Sequence, residues 1–328
     1  MRDSASKARL ALVGAALLAL GGGSAWAMAD SERLFVTNRD AGEMSVVDGR
    51  GAELLARLQV GTKPTYSAAT PDGRYAFATA TGDRQLVVVD TRTQSVVARL
   101  PLGESPKGVE VSPDGKFVLV ANEGAGSNSI SIFRIGEWQL VAEAKVGMAP
   151  HNIAFAKSTG IAYITNGESK SISKIRWSDG TVLGEIPLDE RGMPHNLAAT
   201  PDDRYLFVAR KGSDDVAVID LASEEVVAYI PVSKGHHAVD ASPDGRFVYV
   251  SGIGADVINV IDVARMERVA EIPVGDGPHG VRFSPDGQRA YVAVAKAGKV
   301  AIIDTQAQKV VAEVDSAGFP FWVAVAPR

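Results

Sequence analysis

The sequence contains no cysteine. This absence excludes disulfide bonds, zinc or iron–sulfur sites with cysteine ligands, and covalently attached c-type haem. Long basic runs are also missing: 34 Lys and Arg residues stand against 39 Asp and Glu residues, so the net charge is −5. The composition therefore gives no support to a nucleic-acid partner. Aromatic residues make up only 6% of the chain, whereas 33 glycines and 16 prolines indicate frequent turns.

One long apolar run lies near the N-terminus. Three basic residues among the first nine precede the apolar residues 10–20. Ala25-Trp26-Ala27 has the small-x-small pattern of a cleavage site, and Ala27-Met28-Ala29 is a second candidate. These features predict a cleaved secretory signal peptide over residues 1–27, with an uncleaved anchor as the alternative. The later sequence has no segment apolar enough to cross a membrane. We therefore expect a periplasmic or secreted protein without a membrane span after cleavage.

The rest of the chain repeats every 42 or 44 residues. Five repeats carry Pro-Asp-Gly or Pro-Asp-Asp, and one anchor residue lies six positions before each proline. With the two variant repeats included, the seven anchor residues are Thr65, Lys107, His151, His195, His237, His279 and Phe321. Each repeat contains four short β patterns and lacks helical periodicity. This spacing predicts an all-β fold, a seven-bladed β-propeller with four-stranded antiparallel blades.

The two ends of the chain complement each other. Residues 33–38, 43–47 and 53–60 match the second, third and fourth strands of a repeat, whereas residues 321–326 match a first strand. The last blade is therefore predicted to combine N- and C-terminal strands, which closes the ring without a free edge. We expect a single propeller domain over residues 31–328.

Three tetrapeptides resemble the signature of YVTN-repeat β-propeller proteins: Phe35-Val36-Thr37-Asn38, Leu119-Val120-Ala121-Asn122 and Tyr163-Ile164-Thr165-Asn166. The resemblance covers the chain after the signal peptide. It implies an exported, stand-alone propeller of seven repeats, similar to propellers that accompany quinoprotein-dependent catabolism. More distant similar propellers include the haem d1 domain of a nitrite reductase and the copper-binding propeller of nitrous oxide reductase. Propellers host unrelated chemistries, so the function depends on the site residues.

Four of the five histidines occupy the anchor position of consecutive repeats. The anchor begins the innermost strand of its blade, so these imidazoles can converge at the mouth of the central channel. His151, His195, His237 and His279 are candidate ligands for copper or another first-row metal, and a non-covalent haem is the other candidate cofactor. His236, next to His237, is included in the candidate cofactor site. An acid–base role and a purely structural packing role are the alternatives.

Basic residues fall in loops expected on the same face. They are Arg39, Arg84, Lys107, Arg210, Lys211, Lys234 and Lys296. We assign Lys107, Arg39 and Arg210 to the candidate cofactor site. In an acidic chain this clustering favours a small anionic ligand, such as a carboxylate-bearing cofactor, and ordinary solvated loop charge is the alternative.

Common catalytic motifs are absent from the sequence, among them GxSxG, HExxH and the P-loop. The leading hypothesis is a monomeric, exported propeller that binds a small ligand, a cofactor or a periplasmic redox protein at the His/Lys-lined funnel. Its setting would be periplasmic redox metabolism. The competing hypothesis is a metal- or haem-dependent redox enzyme or cofactor carrier that uses the histidines. A third is a purely structural interaction platform.

Overall fold

Seven four-stranded antiparallel β-sheets make up residues 32–327, the part of the chain that the computed structural model describes. The predicted signal peptide, residues 1–27, lies outside this part. Within it the secondary structure consists of strands and turns, with no helix. Each sheet is one blade, and consecutive first strands contact each other around the whole ring. The predicted seven-bladed β-propeller is therefore confirmed.

The first strands of the blades line the central channel. They are β4 (Pro64–Ala69), β8 (Pro106–Val111), β12 (Pro150–Ala156), β16 (Met193–Ala199), β20 (His236–Ala241), β24 (Pro278–Phe283) and β28 (Pro320–Ala326). We number the blades one to seven in this order. The second strands are β5 (Tyr75–Ala80), β9 (Phe117–Asn122), β13 (Ile161–Asn166), β17 (Tyr205–Lys211), β21 (Phe247–Gly252), β25 (Arg289–Val294) and, in blade seven, β1 (Arg33–Asn38).

The third and fourth strands lie progressively further from the channel. The third strands are β6 (Gln85–Asp90), β10 (Ser129–Arg134), β14 (Ser171–Arg176), β18 (Asp215–Asp220), β22 (Val257–Asp262), β26 (Lys299–Asp304) and, in blade seven, β2 (Glu43–Asp48). The fourth strands are β7 (Ser95–Pro101), β11 (Gln139–Lys145), β15 (Val182–Pro187), β19 (Glu225–Pro231), β23 (Glu267–Pro273), β27 (Lys309–Asp315) and, in blade seven, β3 (Glu53–Gln59).

Blade seven is built from both ends of the described chain. Its strand order is β28-β1-β2-β3, and the register of β28 against β1 pairs Leu34 with Val325 and Val36 with Val323. Antiparallel pairing between the first and last strands removes the open edge that either terminus would otherwise leave. The predicted closure is confirmed.

The hydrophobic core lies between adjacent blades. Second and third strands are buried along nearly their whole length because each blade packs one face on the preceding blade and the other on the next. Phe35 and Val46 of blade seven, for example, share a buried cluster with Ala76 and Val87 of blade one. The fourth strands alternate between exposed and half-buried residues, as expected at the rim of a propeller.

The turn after each first strand explains the repeated Pro-Asp-Gly. In blade one, the Asp72 carboxylate accepts hydrogen bonds from the Thr70 hydroxyl at 2.6 Å and from the Arg74 backbone N–H at 2.9 Å. Gly73 takes a positive φ of 68°, a conformation that favours glycine. This turn fixes the end of the first strand and thereby the register of the residues that line the channel.

A β-bulge occurs at the anchor position of every first strand. In β12, Pro150 pairs with Asn166, but the next partners are Ile153 and Ile164, so one additional residue is accommodated on β12. The same shift occurs in the other six blades. A bulge re-aims side chains that strict alternation would send to opposite faces. The anchor residue and the residue after it can therefore both face the channel.

Candidate functional site

The four anchor histidines form a continuous row of rings in contact, with angles between successive ring planes of 30°, 75° and 52°. The ring centroids are 3.7 Å apart for His151 and His195, 4.6 Å for His195 and His237, and 3.8 Å for His237 and His279. Phe321, the anchor of blade seven, continues this histidine row at 4.0 Å from His279. The structure thus brings together all four predicted metal ligands, because equivalent positions on neighbouring inner strands lie side by side.

Directly beneath the row, the channel is filled by four buried residues that each follow an anchor. These plug residues are Tyr66, Asn152, Asn196 and Trp322. The Tyr66 ring lies 4.5 Å from the Trp322 ring, and the Asn152 amide donates to the Asn196 side-chain oxygen at 2.7 Å. These four residues were not predicted from the sequence. The sequence pattern that could have identified them is the position directly after each anchor, which holds two large aromatic and two amide side chains.

Small residues at the same position show how tightly the strands approach. Gly108 follows the anchor of blade two, and a Cβ atom there would lie 2.7 Å from the backbone oxygen of His151. Gly280 follows the anchor of blade six, and a Cβ atom there would lie 2.9 Å from the Cα atom of Trp322. Contacts this short with a neighbouring backbone are not tolerated, so the close approach of adjacent inner strands requires glycine at Gly108 and Gly280.

His151 uses both ring nitrogens within the protein. Its Nδ1 atom lies 2.7 Å from the Glu123 carboxylate, and its Nε2 atom lies 2.7 Å from the Tyr66 hydroxyl. A carboxylate only accepts, so the Nδ1–H donates to Glu123 and Nε2 of the neutral ring accepts from Tyr66. Glu123 also faces the ammonium of Lys107, at 3.5 Å. These contacts hold the first ring of the row in one orientation.

Asn196 positions the next two histidines. Its side-chain N–H group donates to Nδ1 of His195 at 2.9 Å and to the backbone oxygen of His237 at 2.7 Å. Because the Asn196 amide oxygen accepts from Asn152, the amide orientation is set by the plug itself. Hydrogen bonds from the plug residue Asn196 therefore help to fix the row, in addition to the contacts between the rings.

Three of the four histidines in the row, His151, His237 and His279, have a lowered pKa, which favours the neutral form of these rings at pH 7. Burial lowers the pKa of His151 despite the opposing effect of Glu123, and burial together with His279 and His195 lowers the pKa of His237 well below its usual range. Burial, reinforced by the charge of Arg39, lowers the pKa of His279 to about 3. The Nδ1 atom of His279 is buried without a hydrogen-bond partner among the described residues.

Three cationic groups flank the histidine row. Lys211 and Lys107 act electrostatically on His151, and Arg39 acts on His279. The Arg39 guanidinium also lies 5.8 Å from the ring centre of Phe319, which itself lies 6.0 Å from His279. Of the three basic residues assigned to the candidate cofactor site, Lys107 and Arg39 are therefore near the histidines.

Arg210 belongs to a different cluster. Its guanidinium is completely buried, forms ion pairs with Asp189 and Asp215, and stacks on the Tyr229 ring at 4.4 Å. The Arg210 guanidinium, predicted to bind an anionic ligand, is therefore already paired with two carboxylates of the protein. For His236 the structure describes only the backbone, which pairs with Gly252 at the start of β20, and the prediction for its side chain falls outside the described residues.

The predicted metal site has no support in the described geometry. Within residues 32–327, no group of three or more His, Asp or Glu side chains is arranged to hold a metal ion. Both nitrogens of His151 already have protein partners, the Tyr66 hydroxyl and the Glu123 carboxylate. Metal binding stays a prediction.

Seven blades closed by both ends of the chain define a seven-bladed β-propeller with a histidine-lined channel mouth. A family model described as YNCE-like beta-propeller matches residues 110–327, and the chain belongs to this family. A comparison with curated proteins finds no match. Across residues 32–327, no helix has the length and apolar character needed to span a bilayer.

Several solved structures share the fold. Hydrazine synthase of Kuenenia stuttgartiensis is 22% identical with a TM-score of 0.78, over 83% of this chain and 92% of that chain. Apo AztD from Citrobacter koseri is 16% identical with a TM-score of 0.69, over 91% and 98% of the two chains. The dihydro-heme d1 dehydrogenase NirN, in complex with DHE, is 22% identical with a TM-score of 0.65, over 87% of this chain but 64% of its own. At these identities the similarity shows the fold alone.

Proposed function

We propose that the histidine row binds the face of a planar, unsaturated ligand that carries anionic groups. The protein would then be a non-catalytic binding propeller. The observation that carries this proposal is the row itself: four imidazoles whose rings contact one another in series, continued by Phe321 and flanked by Lys107, Lys211 and Arg39.

The chemistry of the row suits such a ligand. His195, His237, Phe319 and Phe321 are half-exposed, so part of this aromatic surface is open to solvent. Aromatic faces stack favourably on one another, and each such pair contributes about 0.5–1.5 kcal/mol beyond its buried area. Lysine and arginine at the rim can pair with carboxylates of the ligand. NirN, which shares the fold, has been solved with DHE, and this supports testing a tetrapyrrole first.

The cellular setting belongs to the same proposal. The basic and apolar pattern of residues 1–27 supports export, and the YVTN resemblance supports a role beside periplasmic redox enzymes. A carrier or accessory protein would need the preorganised binding surface described above, but no general base or nucleophile at the row. The pKa values of His151, His237 and His279 are all lowered, which makes these rings poor general acids at pH 7.

Tetrapyrroles with and without metal and carboxylates test the proposal directly. Quenching of tryptophan fluorescence would report binding of protoporphyrin IX, its dimethyl ester and its iron complex. We expect the metal-free diacid and the iron complex to bind alike and the dimethyl ester to bind more weakly. Tight binding of the iron complex alone would show that a histidine ligates metal, and equal binding of the ester would remove the role of the cations.

Variants locate the ligand on the row. Because stacking on two rings is lost, the double variant His195→Ala/His237→Ala should weaken protoporphyrin binding by at least about tenfold. Lys211→Ala should weaken it by up to about fivefold, as expected for an exposed ion pair. Lys309→Ala is the matched control, since Lys309 is an exposed lysine on the outer strand β27. Unchanged binding by the double variant would refute the site.

A further inference from the structure

A cavity lies at the end of the channel opposite the histidine row. Its volume is about 590 Å³, and its walls come from the C-terminal halves of the first strands and the turns after them. The residue three positions after each anchor reaches this cavity. It is alanine in four blades (Ala68, Ala154, Ala198 and Ala324) and charged in the other three. The small alanine side chains leave room for the cavity, and the three charged residues are the groups that can bind a polar ligand.

The three charged residues form one connected group, which we call the charged floor: Glu110 of β8, Asp240 of β20 and Arg282 of β24. The Arg282 guanidinium forms an ion pair with Glu110, and its Nη1 atom lies 3.6 Å from the Asp240 carboxylate. About a fifth of each side chain is exposed, at 22%, 21% and 18% respectively, so all three reach the cavity. The charged floor is therefore in contact with any molecule that enters.

Neighbouring groups hold the floor in place. The Asp240 carboxylate accepts a hydrogen bond from the Phe283 backbone N–H at 2.8 Å. Arg282 lies 5.2 Å from the ring centre of Trp322, one of the plug residues. These contacts restrict Asp240 and Arg282 before any ligand arrives, which lowers the entropic cost of binding.

The charged floor has one more negative group than positive. Burial raises the pKa of Glu110 to about 7 although Arg282 opposes this effect, and burial also raises the pKa of Asp240. One guanidinium therefore does not fully compensate two half-buried carboxylates. The fourth charged residue of the cavity, Lys157, is exposed at the rim, where water screens it.

We propose that this cavity binds an organic cation, namely a protonated amine on a hydrocarbon body. The ammonium would lie against Glu110 and Asp240 and supply the missing positive charge through charge-assisted hydrogen bonds. The alanine, proline and valine residues of the wall would contact the hydrocarbon part. A metal ion fits poorly, because the floor offers only two carboxylates with a guanidinium between them. A carboxylate ligand would meet two negative groups.

Three probes of equal length distinguish these ligand classes: n-pentylamine, pentanoate and pentanol. Isothermal titration at pH 8, where Glu110 is ionised, should detect binding of the amine and neither of the others. Preference for pentanoate would show that Arg282 makes this an anion site, and equal binding of pentanol would show a purely apolar cavity. Either result overturns the proposal, as does failure of the amine to bind.

Two variants test the location. Glu110→Gln keeps the side-chain volume and should weaken amine binding by at least about tenfold, the effect of losing one charge-assisted hydrogen bond. Glu190→Gln, at a surface glutamate with 86% of its side chain exposed, is the matched control. Ala198→Leu fills the cavity without changing any charge, and it decides the question if Glu110→Gln does not fold. Wild-type affinity in the folded Ala198→Leu variant would refute the site.

The test is independent of the tetrapyrrole site. The His195→Ala/His237→Ala variant should bind n-pentylamine with wild-type affinity, because its substitutions lie above the plug. Loss of amine binding in this variant would mean that the amine binds at the histidine row, which contradicts the proposal.

Discussion

Replacing His279 by phenylalanine should make the protein more resistant to acid. The imidazole is only 5% exposed, stacks on His237 and Phe321, and has its pKa lowered to about 3 by burial. Phenylalanine already occupies the anchor position in blade seven, so the repeat accommodates this side chain. The substitution removes a titrating group and retains the ring that packs against its neighbours.

The size of the effect follows from proton linkage. An unfolded histidine titrates near pH 6.5, whereas folded His279 remains neutral until about pH 3. Between these values the unfolded chain binds more protons, so the stability is greatest above pH 6.5 and falls as the pH decreases. From pH 7 to pH 5, His279 alone should cost about 2 kcal/mol of folding free energy. A typical domain has only about 5–15 kcal/mol in total, so the loss is measurable.

Urea unfolding of wild type and His279→Phe at pH 7 and pH 5, followed by tryptophan fluorescence, gives the required double difference. This comparison is necessary because Glu110 acts in the opposite direction. Its raised pKa adds stability that is present at low pH and is lost as the pH rises through about 7. The Glu110 contribution is common to both proteins and cancels. If both proteins lose the same free energy of unfolding between pH 7 and pH 5, the prediction that His279 is buried in its neutral form is refuted.

Two further predictions concern the ends of the chain. Deleting residues 321–328 should lower the melting temperature sharply or abolish folding, because it removes the buried Trp322 and Val323 and leaves one edge of β1 unpaired. Burial of these side chains alone is worth about 5 kcal/mol. Melting like that of the full chain would contradict the role of closure. Expressed in a Gram-negative host, the exported protein should begin at Met28 or Asp30 by N-terminal sequencing, and an intact Met1 on cytosolic protein would contradict the signal-peptide prediction.

The amino-acid sequence by itself determined the blades, their number and the closure of the ring. These features are local or periodic. The Pro-Asp-Gly turn is stabilised by hydrogen bonds between residues two to five positions apart. The turn recurs once per repeat, and each repeat forms one blade. The adjacency of His151, His195 and His237 followed for the same reason. Equivalent positions in successive repeats must become neighbours once the inner strands line a common channel.

Only the tertiary structure decided what surrounds those histidines. The bulge at each anchor turns the following residue toward the channel, and Tyr66 thereby reaches His151 from two blades away. Strict alternation along a strand does not predict this. Arg210 likewise looked available as a loop cation until the fold placed Asp189 and Asp215 against it.

The charged floor shows the limit of sequence reasoning most clearly. Glu110 and Arg282 form an ion pair although 172 residues separate them, and each taken alone is an ordinary charged residue in a β pattern. Their meeting depends on seven inner strands converging on one axis, where side chains from non-adjacent blades reach across the channel. Such contacts depend on the diameter of the closed ring and on the size of every side chain in the layer, which are properties of the assembled propeller.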